Sequence, residues 1–152
     1  DIAMIHTAEV GTKIFYAEHG SFDTHGIQEI THSKLWGEVS GAVADFWEDL
    51  IDHNAHENVI MLIFSEFGRR VRDNGSGTDH GAAGVAFAIG PAVVGGMYGE
   101  YPKTDPYALI EGDLISTLDF RAIYSELLDS WMGLDSRNVI ENYVETQKFI
   151  RA

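Results

Sequence analysis

The 152-residue chain contains no cysteine. Disulfides, thiolate zinc sites, iron–sulfur clusters and cysteine nucleophiles are therefore excluded. Basic residues are scarce. Ten Lys and Arg face 24 Asp and Glu, for a formal net charge of −14. Nucleic-acid binding is disfavoured, because phosphate contacts need a surplus of Lys and Arg, and so is electrostatic docking on an anionic membrane. Long apolar runs are also missing. The longest, residues 58–64 and 82–89, are strand-length and far short of the ~18 residues of a membrane span. Residues 1–10 have neither a basic start nor a long apolar stretch, so they do not read as a signal peptide. With no initiator Met, the chain is expected to be processed or to be part of something longer. There is no internal repeat and no low-complexity segment.

What remains is globular in composition, 45% hydrophobic and 22% charged. Residues 1–152 are expected to form one domain with a sizeable core, with residues 135–152 as a weakly patterned tail. The carboxylate surplus suits bound cations, and it equally suits plain solubility.

Apolar positions in residues 2–10 predict a helix stopping at Gly11. The β-branched and aromatic residues 13–17 predict a strand. A polar, glycine-bearing loop follows. Trp36, Val39, Val43, Phe46 and Leu50 then recur at spacings of 3 and 4, one face of a helix over about residues 29–53. Residues 58–64 and 84–90 read as strands covered on both faces. Residues 73–81 read as a loop, and residues 93–100 as a turn or short hairpin. Asp119 is a good N-cap for a helix carrying Phe120, Ile123, Tyr124, Leu127, Leu128 and Trp131, closed by Gly133. Strands alternating with helices predict an α/β layered fold with a mostly parallel sheet.

Three polar segments carry possible chemistry. Asp23 and His25 lie one residue apart in a glycine-flanked loop. A carboxylate with an imidazole suits zinc, manganese or iron, and suits calcium less well. An Asx-turn beside a solvated histidine fits the same residues. Glu66 stands at the carboxyl end of a buried-type strand, where α/β enzymes place ligands. Pairing with Arg69 or Arg70 fits it as well. His80, between Asp79 and Gly81, fits a ligand or an exposed turn histidine, and Asp79 fits a ligand or a carboxylate that orients an imidazole from behind. Ser65 lacks a G-x-S-x-G setting and is no convincing nucleophile. His32 is expected to be solvated, and the Trp and Phe residues at helical spacing to be core.

The ordered set Gly20-Ser21-Phe22-Asp23-Thr24-His25-Gly26, Ser65-Glu66-Phe67-Gly68-Arg69, Gly77-Thr78-Asp79-His80-Gly81, Asp119-Phe120-Arg121 and Trp131-Met132-Gly133 resembles the bacterial DUF1501 family. That family is similar to the alkaline phosphatase and sulfatase superfamily. The resemblance implies a three-layer α/β/α sandwich, of which this chain would be the carboxyl-terminal portion. It implies a metal-dependent hydrolase of phosphate or sulfate esters, with Asp23, His25, Glu66 and His80 as ligands of a divalent metal and Arg69 touching an anionic small-molecule or glycan ester. Phe67 departs from the superfamily's pattern, which has a histidine there. Nothing in the chain matches the nucleophile, which that superfamily carries in its amino-terminal half. A non-catalytic binding or scaffold domain is the alternative. Export to the periplasm or outside the cell follows from the resemblance, and self-assembly from the exposed edge of a half sheet.

Overall fold

A computed structural model describes residues 1–151. Their contacts gather into two compact units, one of Asp1–Val59 with Arg72–Asp79, the other of Ile60–Val71 with the residues from His80 on.

The first unit is built on α1 (Ile2–Thr7) and α2 (Gln28–Asp52). The helical spacing places α2 to within a residue at each end. Leu35 and Leu50 on it are buried, Leu50 completely, while Trp36, Val39, Val43 and Phe46 are half-buried. α1 stops well before Gly11, because Glu9 turns the chain at φ +52°. His6 on α1 reaches the Ala55 carbonyl at 3.0 Å. Residues 13–17 form no strand. Their propensity is right, but a strand needs a ladder partner, and Ile14 and Tyr16 stay exposed.

In the second unit β1 (Met61–Ile63) pairs antiparallel with β4 (Phe87–Ile89), in the register Met61–Ile89, Leu62–Ala88, Ile63–Phe87. Between them in sequence lie β2 (Gly68–Asp73) and β3 (Thr78–Gly81), which pair as a second two-stranded sheet. The tip of this hairpin, residues 72–79, belongs to the first unit and its base to the second. The expected α/β/α sandwich with a mostly parallel sheet is thereby overturned. The described residues hold three α-helices and two small antiparallel sheets. An apolar strand does not encode its direction. Parallel pairing of β1 with β4 would need a crossover, usually a helix. The intervening segment spends its residues on a hairpin instead.

α3 (Phe120–Glu126) runs into one π-type turn, Leu127–Trp131, and Gly133 closes it at φ +65°. Short 3-10 turns occupy Pro106–Ala108 and Ser136–Asn138. The weakly patterned tail is firmly docked. Phe149 and Ile150 are buried. The Val94 N–H donates to the Phe149 carbonyl and the Arg151 N–H to the Ala92 carbonyl, both at 2.8 Å. Val93, at the start of the segment expected as a turn or short hairpin, therefore bridges Ile150. The fully buried Glu126 accepts the Ile150 N–H at 3.3 Å. No helix among the described residues is long and apolar enough to cross a membrane.

Asp119 caps α3 by accepting the Arg121 N–H at 2.9 Å, and its carboxylate also takes the Arg121 guanidinium. The hydrogen bond from the Arg121 side chain, helped by its backbone N–H, holds the carboxyl down to about 2. A carboxyl depressed on folding stabilises fully above its unfolded value and loses that contribution as it protonates in the folded state. Asp119→Ala is expected to cost about 1 kcal/mol near neutral pH. The difference from the parent should shrink as pH falls from 3.8 toward about 2, as read by urea unfolding across that range.

Candidate metal centre

The loop of residues 19–27 is fixed from below by aromatic packing. His32 and Trp36 lie one turn apart on α2, and the Phe22 ring meets each edge-on at 5.5 Å between centroids. His19 meets Phe22 edge-on at 5.9 Å and pairs with Glu38 at 3.2 Å. His32, expected in solvent, is thus half-buried in this cluster. Thr24 is buried, and its N–H donates to the Phe22 carbonyl at 2.8 Å. The two residues projecting from this anchored turn are Asp23 and His25, both exposed.

The loop enters α2 through Ile27, which sits at φ +51° with no side-chain cap. A β-branched residue is rarely found there. The helix's first N–H groups need acceptors, and the hairpin tip supplies one. The Gln28 N–H donates to the Ser76 carbonyl at 3.0 Å, and Thr78 Oγ1 donates to Gln28 Oε1 at 2.9 Å. Gly77 makes the approach possible. A Cβ there would stand 3.1 Å from Gln28 Cβ and from the His25 carbonyl carbon. At the turn itself, the Asn74 N–H donates to the Gly77 carbonyl at 2.9 Å.

Asn74 then joins the two segments. Its side-chain amide donates to the His25 carbonyl at 3.2 Å and to Asp79 Oδ1 at 3.0 Å. The His25 ring consequently stands between two carboxylates, Nε2 lying 2.9 Å from Asp23 Oδ1 and Nδ1 3.4 Å from Asp79 Oδ1. A neutral imidazole has one N–H and one lone pair. It can donate to only one of two carboxylates, and its lone pair would face the other. A cation shared by the ring nitrogen and the Asp23 carboxylate would resolve that conflict. The donor set suits a borderline divalent metal. Two ligand atoms each ~2.1 Å from a tetrahedral ion stand about 3.4 Å apart, a small widening of the observed Asp23–His25 separation. A carboxylate on the far nitrogen of a ligating histidine is the usual way such rings are oriented.

The other candidates lie in the second unit. Glu66 is exposed at the end of the segment after β1. Arg69 is half-buried, its guanidinium 5.0 Å from the Phe67 ring centre. His80 is exposed at its side chain yet stacks on Phe67, 4.1 Å between centroids and 13° between planes. The structure therefore brings Asp23, His25 and Asp79 together in the first unit, and Phe67, Arg69 and His80 in the second. Among the described residues, Glu66 belongs to neither group. Composition alone predicts a plain loop over residues 73–81, yet Asn74-Gly75 between two strands is a strong hairpin signal and marks the turn.

The family model described as "Protein of unknown function (DUF1501)" matches residues 2–144. No curated protein and no solved structure matches the chain.

Replacing Asn74 by Ala removes both amide bonds at once. Stability should fall by about 1 kcal/mol, and the His25 imidazole signals should broaden in NMR spectra. An unchanged His25 spectrum would show that Asn74 does not hold the ring.

Proposed function

The chain belongs to the DUF1501 family, and on that premise we propose a divalent-metal site serving the hydrolysis of phosphate or sulfate esters. The observation that carries the reading is the His25 imidazole between the Asp23 and Asp79 carboxylates. Asp23 and His25 hold the cation, and Asp79 orients His25. The resemblance to the alkaline phosphatase and sulfatase superfamily supplies the ester class and the assignment of this chain to the carboxyl-terminal portion.

A bound cation supplies Lewis acidity toward a phosphoryl or sulfuryl oxygen. The chain's own residues do the rest. Asp23 and the Asp79–His25 pair present fixed donors, so little reorganisation is needed when the site fills. No residue of this chain is assigned as nucleophile, so the chain by itself should turn over no ester. A second reading, a binding or scaffold domain, is favoured by one specific observation. Phe67 occupies the place where the superfamily carries a histidine, and its ring is already committed to stacking on His80.

Elemental analysis of protein prepared without chelator tests the site. About one zinc, manganese or iron per chain is expected, lost in both Asp23→Ala and His25→Ala. A metal-free parent that also fails to take up added zinc or manganese would overturn the proposal. Phosphatase or sulfatase turnover by the chain alone would show that a nucleophile is present after all.

A further inference from the structure

The turn of the β2–β3 hairpin combines a reactive dipeptide with groups placed to act on it. Asn74 is followed by glycine, whereas Asn54, Asn58, Asn138 and Asn142 precede Ala, Val, Val and Tyr. A glycine leaves its backbone nitrogen unshielded, and Gly75 sits at φ +106°, where an ordinary side chain would be strained. Residues 73–76 are exposed, so water has access. Hydrogen bonds then engage each end of the reacting pair. Asp73 Oδ1 accepts the Gly75 N–H. Asn74 Oδ1 accepts the Ser76 N–H at 3.2 Å. The Asn74 amide nitrogen donates to the His25 carbonyl at 3.2 Å and to Asp79 Oδ1 at 3.0 Å.

We propose that Asn74 is a self-modification site, converted to aspartate and isoaspartate through a cyclic imide. The Gly75 nitrogen attacks Asn74 Cγ, and an N–Cγ bond forms. The Gly75 proton passes by way of Asp73 to the amide nitrogen, the Cγ–Nδ2 bond breaks, and ammonia leaves. Water then opens the imide at one carbonyl or the other, giving aspartate or a β-linked isoaspartate. No electrons change hands. Each neighbouring group meets a need of this reaction. Asp73 stands where the proton comes off. The Ser76 N–H donates to the oxygen on which negative charge develops. The anchored amide narrows the orientations that the side chain must search. The product has lost both N–H donors, and its new carboxylate meets the His25 carbonyl oxygen and the Asp79 carboxylate. The amide bridge between the hairpin tip and the loop before α2 is thereby broken irreversibly. The step needs no metal, so it stands or falls independently of the proposed metal site.

The test incubates the folded protein at mildly alkaline pH beside the same chain unfolded in urea. Conversion at each asparagine is followed by peptide mapping with mass spectrometry, and isoaspartate by enzymatic methylation. Asn74 should convert in the folded protein at least as fast as in urea, and ahead of the other four asparagines. Folded Asp73→Ala should convert about ten-fold more slowly, with its rate in urea nearly that of the parent. Asn74 left intact in the folded protein while the urea-unfolded chain converts overturns the proposal, as does an unchanged folded rate in Asp73→Ala. If Asp73→Ala does not fold, the comparison of folded and unfolded parent decides alone. In the converted protein and in Asn74→Asp, the His25 imidazole signals should move alike in NMR spectra. Signals that stay at their parent positions overturn the loss of the bridge while leaving the modification standing.

Discussion

The first unit depends on how the amino end of α2 is terminated. A helix begins with N–H groups that have no partner inside it, and here the preceding residue, Ile27, offers no capping side chain. The acceptor comes instead from the hairpin tip, through the Ser76 carbonyl on the Gln28 N–H. Once the tip is drawn to that point, Thr78 reaches the Gln28 side chain and Asn74 reaches the His25 carbonyl. Asp79, held by the same Asn74 amide, is left facing the His25 ring. A backbone hydrogen bond that finishes a helix thus places a carboxylate on a candidate ligand. The left-handed backbone at Ile27 is a local cost of this arrangement, of order 1–3 kcal/mol, which the surrounding hydrogen bonds offset.

The second unit follows a different economy of contacts. Its sheets are small, so its interior relies on α3 and on the returning tail. Glu126 is completely buried on α3, and one carboxylate oxygen accepts the Ile150 N–H while the other has no hydrogen-bond partner. The tail answers with Phe149 and Ile150 packed inside and with backbone bonds to residues 92–94. Asp129, one turn beyond Glu126, holds Ser136 through both its N–H, at 2.7 Å, and its hydroxyl, at 3.0 Å. Polar side chains at the end of one helix therefore fix a segment whose composition gives little hint of order.

Phe67 shows how a departure from a resembling pattern gains meaning from packing. As a letter it marks only the loss of a possible ligand. In the structure it lies flat against the neighbouring histidine and under an arginine.

Features set by short-range physics were legible in the sequence. The 3- and 4-residue recurrence from Trp36 to Leu50 places α2, because a helix buries one face whatever it packs against. Asp119 and Gly133 mark the limits of the last helix, because caps act on the adjacent turn. The Asp23-Thr24-His25 spacing brought a carboxylate and an imidazole together for the same reason. Family membership was legible as well, carried by the order of five short motifs rather than by any one. The sandwich was not, since residues 58–64 and 84–90 reveal strand propensity but neither direction nor partner, and the short strands that form there are only partly buried rather than covered on both faces. Pairing direction depends on what the intervening chain does, and here it makes a hairpin where a parallel sheet needs a crossover. The loss of the strand at residues 13–17, the docking of the tail, the stack of Phe67 on His80 and the approach of Asp79 to His25 are likewise contacts between distant positions. Tertiary structure alone decided them, because no local preference records which remote residue will supply the partner.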